Sequence, residues 1–209
     1  MKKALIVWGG WLGHEPEQVA HIFEESLKKH GFEAEISDTL DVFLDVEKLK
    51  KLDLIIPIWT MGKITGEQLK PVLAAVESGV GIAGVHGGMC DAFRDSVDWQ
   101  YMTGGQWVSH PGGDGVEYVV KIVDHLHPIT NGLKDIQVKS EKYYMHVDPA
   151  VRVLAVTYFD DVAMPVAWTK KWGAGRVFYT SLGHVAKVAS QPDVLGMTIR
   201  GFLWAAKVV

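Results

Sequence analysis

The sequence predicts an α/β domain with a parallel central sheet. Short, almost purely apolar runs alternate along the chain with amphipathic segments of helical length, and glycine-rich turns separate them. Strands that are buried on both faces read as continuous apolar runs, and their alternation with helices is typical of parallel pairing. The 209 residues contain no linker rich in Ser, Pro or Gly, which favours one domain over residues 1–209 rather than two small ones.

The first half of the chain has the most regular pattern. Residues 4–8 and 54–58 are apolar runs of strand length, and residues 80–85 form a third. Pro16 opens a helix that is expected to last until Gly31, and a second helix is predicted over residues 66–78. These elements make a strand–helix–strand series.

The second half is less regular. Glycines after residue 95 predict a loop-rich segment near the functional site, before strand character resumes over residues 116–123. Further strands are expected within residues 151–159, 165–169 and 176–179, with a hairpin turn at residues 173–175. A closing helix over residues 193–207 carries an apolar stripe, so we expect it to cover one face of the sheet.

Composition excludes several classes of protein. A formal net charge of −4 and 48% apolar residues argue against disorder and against nucleic acid as a partner. No apolar run approaches the roughly 20 residues that span a bilayer, and the first residues lead directly into a strand without a cleavage site. We therefore expect a cytoplasmic protein with no membrane partner.

Three histidines follow predicted strands. His14 comes after the first strand and its glycines, His86 stands at the corner Gly84-Val85-His86-Gly87-Gly88, and His184 follows a later strand. The carboxyl ends of parallel strands meet at one edge of the sheet, so these rings are expected to converge there. A single histidine after a strand is more often an ordinary polar group, but three favour a site.

The chemistry of such a site is that of imidazole. Cys90 is the only cysteine, so intrachain disulfides and cysteine-rich zinc sites are excluded, and a zinc site would use histidine and carboxylate. Glu141 lies near two tyrosines and a histidine, a set able to bind a metal or relay a proton, although a Lys-flanked glutamate is often a solvated ion-pair partner.

Several aromatic residues are candidates for sugar contacts. Trp11, Trp59 and Trp107 fall at or beyond predicted strand ends, where an indole can lie against a sugar ring, although core packing is the alternative for each. His110, in a loop, and Tyr144 are the further candidates for substrate binding. The run Gly9-Gly10-Trp11-Leu12-Gly13 matches no dinucleotide or P-loop pattern, so no nucleotide cofactor is expected.

These motifs together resemble the ThuA-like family, which is named for trehalose utilisation and related to the class I glutamine amidotransferases. The resemblance extends over nearly the whole chain. Its segments include the glycines with His14, the His86 corner, Gly104-Gly105 with His110-Pro111, residues 127–133, Glu141 with a nearby tyrosine, residues 165–168 and, most specifically, residues 173–184.

The resemblance implies a flavodoxin-like three-layer sandwich, a central mostly parallel sheet with helices on both faces. It also places His86 where the amidotransferases carry their cysteine, and His184 near their triad histidine, so glutaminase chemistry is expected to be lost. The chain has Ser140-Glu141 where the family usually has an Asp-Glu pair, which weakens a role for two carboxylates there.

The function expected from the family is utilisation of trehalose or of a related disaccharide or keto-sugar, with a small-molecule sugar as the partner. The specific hypothesis is an enzyme with His86, His184 and Glu141 as catalytic residues, and with His14, His86 and His184 as ligands of Zn²⁺. A metal-free acid–base site, a non-catalytic sugar-binding or regulatory protein, and an amidase that uses Cys90 are the alternatives. A homo-oligomer is also left open.

Overall fold

Nine of the eleven strands form one central sheet, and the other two form a small antiparallel sheet beside it. The computed structural model describes residues 1–209. The strands are β1 (Lys2–Gly10), β2 (Phe32–Ser37), β3 (Leu54–Thr60), β4 (Gly81–Val85), β5 (Gly105–Ser109), β6 (Val116–Ile122), β7 (Ile136–Ser140), β8 (Tyr144–Val147), β9 (Arg152–Phe159), β10 (Val162–Trp172) and β11 (Gly175–Thr180). The helices are α1 (Pro16–Lys29), α2 (Val46–Leu49), α3 (Gly66–Ser78), α4 (Gly87–Cys90), α5 (Val97–Thr103), α6 (Ala186–Ala189) and α7 (Pro192–Ala205).

The central sheet has a parallel half and an antiparallel half. Its strand order is β2-β1-β3-β4-β11-β10-β9-β6-β7, and pairing is parallel from β2 to β11. From β11 to β7 the neighbours run antiparallel, while β5 pairs with β8 outside this sheet. The predicted α/β fold with a parallel core is confirmed, and the antiparallel strands extend it on one side.

Alternate residues of the strands pack on opposite faces. In β1, Ala4 and Ile6 contact one core, with α1 and α7, whereas Leu5 and Val7 contact a second core, with α3 and α5. Each fully buried aliphatic side chain contributes roughly 1.5–3 kcal/mol relative to exposure. Helices on both faces of the sheet give the expected three-layer sandwich.

The predicted helix over residues 66–78 has those bounds in the structure, because both of its ends carry strong local signals. Thr65 and Gln68 form a reciprocal capping box at its start, which satisfies two free backbone N–H groups. Gly79 ends it with φ 126°, a conformation that glycine adopts most easily. No helix of the protein combines the length and the hydropathy needed to cross a membrane.

The glycine-rich segment after residue 95 contains more regular structure than predicted. It forms α5 and β5, so that the irregular part is confined to residues 110–115. Gly104 ends α5 in a left-handed conformation, and a Cβ on Gly105 would lie 2.8 Å from the Trp168 ring. Glycine there permits close packing of a strand, which has the same sequence signal as a loop.

Besides β5, three strands were not predicted from the sequence: β2, β7 and β8. β2 lies at one edge of the sheet and β7 at the other, and both carry charged or polar residues at alternate positions. The exposure of their outer faces explains why they lack the continuous apolar runs of the central strands.

Candidate metal centre

Three histidines meet at the carboxyl edge of the parallel strands. His14 ends the short 3-10 helix Leu12–His14 that follows β1, His86 directly follows β4, and His184 follows β11. All three side chains are buried. Ligand sites of open α/β sheets lie at this edge, and the structure brings the rings together as the sequence predicts.

His86 occupies a strained corner. Its backbone has φ 49° and ψ −139°, which a side chain other than glycine rarely adopts and which costs about 1–3 kcal/mol. Two hydrogen bonds hold this conformation: His86 N donates to Thr180 O at 2.7 Å, and the Tyr179 hydroxyl donates to His86 O at 3.0 Å. Gly88 then passes so close to β3 that a Cβ would lie 2.8 Å from Ile58 Cα.

Glu141 approaches the histidines from the antiparallel half of the sheet. It follows β7, and the Tyr118 hydroxyl donates to its backbone carbonyl at 3.0 Å. Its side chain is only 8% exposed, so it is not the solvated ion-pair partner that its flanking lysines suggest. Lys139 instead pairs with Glu117 at 3.2 Å on the surface.

The carboxylate of Glu141 faces the same nitrogen, Nε2, of each histidine. Its Oε2 lies 3.1 Å from Nε2 of His86 and 3.9 Å from Nε2 of His14, and its Oε1 lies 3.6 Å from Nε2 of His184. One ligand atom from each of the four residues lies within 4.8 Å of all the others. Ligands at about 2.0–2.1 Å from a tetrahedral zinc lie about 3.3 Å apart, so this spacing fits the ion after small adjustments.

The other ring nitrogen of each histidine faces an oxygen. The Nδ1 atoms of His86, His14 and His184 lie 2.8 Å from Ser181 O, 2.8 Å from Thr60 Oγ1 and 3.4 Å from Asp114 Oδ1, respectively. A carbonyl oxygen can only accept, so His86 carries its hydrogen on Nδ1. Metal-binding histidines are usually oriented by such outer hydrogen bonds, which His86 and His14 form, whereas Nδ1 of His184 makes none. Thr60, Asp114 and Ser181 were not identified from the sequence.

The protonation states of the histidines and of Glu141 favour a bound cation. Burial and the nearby rings of His86 and His184 lower the pKa of His14 to about 3, and burial also lowers the pKa of His86. For Glu141, burial acts to raise the pKa, but the neighbouring histidines outweigh it and lower the pKa to about 2. When His86 is neutral with its hydrogen on Nδ1, the lone pair of its Nε2 faces the Glu141 carboxylate at 3.1 Å. Two facing acceptors repel each other unless a cation lies between them.

The rings of Tyr143, Trp107 and His110, which together we call the aromatic wall, lie beside this cluster. The ring of Tyr143 stacks on that of His86 at 4.0 Å, and the rings of Trp107 and His110 lie 5.5 Å apart next to it. The Arg94 guanidinium covers the Trp107 ring at 4.6 Å. Trp107 Nε1 and His110 Nδ1 are buried without a hydrogen-bond partner, which is costly and points to a missing acceptor or donor.

The other two tryptophans differ in their surroundings. Trp11 is 48% exposed, and its ring lies edge-on to His14 at 4.7 Å, at the entrance of the cluster. Trp59 is half-buried and packs over Gly9 and Gly62, where a Cβ on either glycine would lie 2.5 Å from the indole. Trp59 therefore packs against the end of β1 and the segment that follows β3.

One of the two neighbouring tyrosines lies at the site, and it is not the one that the sequence suggested. Tyr144 begins β8 and packs its ring against Phe159 at 5.4 Å, whereas Tyr143 stacks on His86. Successive residues of an extended chain point in opposite directions, so a shift of one position selects the other face. Cys90 is buried, and burial raises the pKa of its thiol, which makes it inert as a nucleophile.

Comparison with solved structures supports the fold. The chain is similar to a ThuA-like protein of Bacteroides uniformis, with a TM-score of 0.81, 19% identity, and coverage of 98% of this chain and 91% of that one. A ThuA-like protein of Parabacteroides merdae gives a TM-score of 0.79, 20% identity, and coverage of 99% and 90%. A β-galactosidase of Bacillus circulans matches with a TM-score of 0.65 and 16% identity, and the match covers 97% of this chain but 31% of the enzyme.

Comparison with protein families identifies the chain itself. No curated protein sequence matches it significantly. The family model ThuA, described as trehalose utilisation, matches residues 3–205 and so covers almost the whole chain, His14, His86, Glu141 and His184 included. The chain belongs to the ThuA family.

Proposed function

We propose that this chain is a metal-dependent enzyme that acts on a small carbohydrate, with zinc held by His14, His86 and His184. The observation that carries the proposal is the convergence of three Nε2 atoms on one carboxylate at 3.1–3.9 Å. The family description, trehalose utilisation, supports a carbohydrate as the substrate, with trehalose or a related disaccharide or keto-sugar as the first compounds to test.

The donor set suits zinc. Neutral imidazoles and a carboxylate are ligands that this ion prefers, and the low pKa of His14 keeps that ring neutral and able to coordinate. When bound, zinc supplies a Lewis acid and lowers the pKa of a bound water toward about 7. The protein's own contribution is to fix the rings, because Ser181 and Thr60 hold the Nδ1 atoms of His86 and His14.

Glu141 is the proposed proton acceptor. Both of its carboxylate oxygens face the centre of the cluster, at 3.1 Å from Nε2 of His86 and 3.6 Å from Nε2 of His184. A carboxylate at this place can take a proton from water or from a substrate hydroxyl that lies between the histidines. His110, whose side chain is 37% exposed, has its Nε2 3.8 Å from Glu141 Oε1, which is beyond direct hydrogen-bond distance.

The aromatic wall is the proposed sugar-binding surface. Trp107 offers an indole N–H that has no partner, and His110 offers a free Nδ1, both of which can bond to sugar hydroxyls. The exposed Trp11 at the entrance can cover an apolar face of a sugar ring.

A sugar-binding protein without catalysis is the second candidate, and the burial of the cluster favours it. All four side chains are 8% exposed or less. If Glu141 is itself a ligand, protein atoms fill all four positions, as in structural zinc sites, whereas catalytic sites keep one position for water or substrate.

Zinc loading followed by an activity assay on sugars distinguishes the two candidate functions. The protein, purified without a His tag and stripped with a chelator, is titrated with zinc and then incubated with trehalose, other disaccharides and their keto derivatives. The proposal expects about one zinc per chain and product formation that depends on it. The variant His86→Ala is expected to lose both, whereas His146→Ala, at an exposed histidine of β8, keeps both.

Zinc binding and tight sugar binding without any product would favour the binding protein. Unchanged zinc in His86→Ala would remove His86 as a ligand and contradict the proposed centre.

A further inference from the structure

A surface cavity lies away from the histidine cluster, at the opposite edge of the sheet. Its volume is about 440 Å³, and its lining includes His127, Arg152, Thr169, Lys171 and Trp204. Lys171 pairs with Arg176 near the start of β11, whereas the cluster follows the end of that strand. A ligand in this cavity would not touch the proposed metal centre.

The pairing of β9, β10 and β11 places three cationic side chains on the face of the sheet that α7 covers. Arg152 pairs with Thr169, and Lys171 pairs with Arg176, so the four side chains form two adjacent rows facing α7. Lys170, between the two rows, points to the other face, where it bonds to Asp148 at 2.6 Å.

The cavity has little negative charge to balance these cations. No carboxylate lines it. Asp124 is the one acidic partner next to it, and its Oδ2 contacts Arg152 Nε at 2.7 Å. Lys171 has no acidic side chain within ion-pair distance. Arg176 is already engaged, because its Nη1 donates to Trp204 O at 2.8 Å and to Val209 O at 2.9 Å.

Two buried side chains present free hydrogen-bonding groups. His127 is 4% exposed, and its Nδ1 accepts from Ile129 N at 3.3 Å, so its hydrogen is on Nε2, which bonds to no protein atom. Thr169 is also 4% exposed, and its hydroxyl forms no hydrogen bond within the protein. Both side chains line the cavity, so these two groups can bond to a ligand that enters it.

We propose that this cavity binds the phosphate group of a phosphate monoester of about the size of a sugar phosphate. Phosphate oxygens accept hydrogen bonds and carry charge, which matches the His127 N–H, the Thr169 hydroxyl and the cations Arg152 and Lys171. Trp204 supplies an apolar wall for the organic part of the ligand. A volume of about 440 Å³ is within the range of small-molecule sites.

Calorimetric titration of the full chain with glucose 6-phosphate, inorganic phosphate and glucose tests the proposal. We expect glucose 6-phosphate to bind with a dissociation constant of roughly 1 mM or lower, and glucose not to bind at this cavity. Each of the variants Thr169→Val and Lys171→Gln should weaken that binding about tenfold, because each removes one bond to a charged ligand. Lys29→Gln, on the exposed end of α1, is the matched charge control and should bind as the wild type does.

Loss of binding through misfolding is excluded by measuring thermal unfolding of each variant. Lys171 is exposed, so Lys171→Gln is expected to leave the melting temperature unchanged. The proposal is overturned if glucose 6-phosphate shows no saturable binding below about 10 mM, or if it binds equally well to the wild type and to Lys171→Gln. Equal affinity for inorganic phosphate and glucose 6-phosphate would overturn the assignment of a monoester. His86→Ala should retain this binding, so the result is independent of the metal centre.

Discussion

His86 Nε2 lies 3.1 Å from Glu141 Oε2, and this contact joins two residues that are 55 positions apart in the chain. The imidazole is oriented by Ser181 O, and the carboxylate is delivered by a turn anchored through Tyr118. Because neither group has a hydrogen to give the other when His86 is neutral, the pair is arranged for a cation.

Replacing Glu141 by Gln should weaken zinc binding by about 10–100-fold, because the amide lacks the negative charge that faces the three imidazoles. The shape of the side chain is nearly unchanged and its amide N–H can donate to Nε2 of His86, so the melting temperature of the metal-free protein should not fall. Glu117→Gln is the matched control, since Glu117 is 76% exposed on β6. Equal zinc affinities of the two variants in a chelator competition would rule out Glu141 as part of the centre.

Glu15 is expected to hold two histidine-bearing loops together. It follows His14, adopts φ 49°, and its Oε2 accepts from Ala186 N at 2.9 Å, two residues beyond His184. Asparagine at this position tolerates the left-handed backbone, but its side chain is too short to accept from Ala186 N. The zinc affinity of Glu15→Asn should therefore fall about tenfold. Glu15→Gln keeps an acceptor of the same length and should restore most of that affinity. If zinc titration shows unchanged affinity in both variants, the bond from Ala186 N to Glu15 is not needed to position the two loops.

Two glycines of α7 should respond in opposite ways to alanine. A Cβ on Gly201 would lie 2.1 Å from Phe178 Cε1, so Gly201→Ala should destabilise the protein by about 1–3 kcal/mol through overpacking against β11. Gly196 has open space around it, so Gly196→Ala should stabilise by about 0.5–1 kcal/mol through helix propensity. Urea unfolding measures both, and a stabilising Gly201→Ala would contradict the close packing of α7 on the sheet.

The ion pair of Asp148 and Lys170 should make stability depend on pH. The hydrogen bond from Lys170 lowers the pKa of Asp148 below its value in the unfolded chain, which is about 3.9. The stabilisation is therefore complete above pH 4 and is lost as the pH falls through the lower, folded pKa. Asp148→Asn should be less stable than the wild type by about 2 kcal/mol at pH 7.

That difference should shrink on going from pH 4 toward pH 2, because the wild-type carboxylate then becomes neutral as well. Chemical unfolding at several pH values gives the comparison directly. A difference that stays constant over this range would mean that the pair contributes no charge interaction.

The central part of the fold could be predicted from the sequence because its signals are local. Continuous apolar runs mark β3 and β4, and a cap with a terminal glycine marks α3. The edge strands β2 and β7 have one solvated face and lack that signal, so they were not predicted. The glycines before β5 serve close packing on Trp168, which the sequence cannot distinguish from a loop.

The meeting of the three histidines could be predicted from topology alone, because parallel strands place their ends on one edge. The approach of Glu141 could not, since it depends on how the antiparallel half of the sheet returns segment 141–143 to β4. The choice of Tyr143 over Tyr144 depends on one residue of register in that segment. Ser181 bonds to His86 through its backbone carbonyl, which every residue type has, so this contact could not be predicted from the sequence.

Anomalous diffraction at the zinc absorption edge, from crystals of the zinc-loaded protein, tests the centre most directly. We expect one strong peak per chain, bonded to the Nε2 atoms of His14, His86 and His184 at about 2.0–2.1 Å, with Glu141 next to it. A peak at other residues, or none at these four in protein that has taken up zinc, would contradict the proposed metal centre.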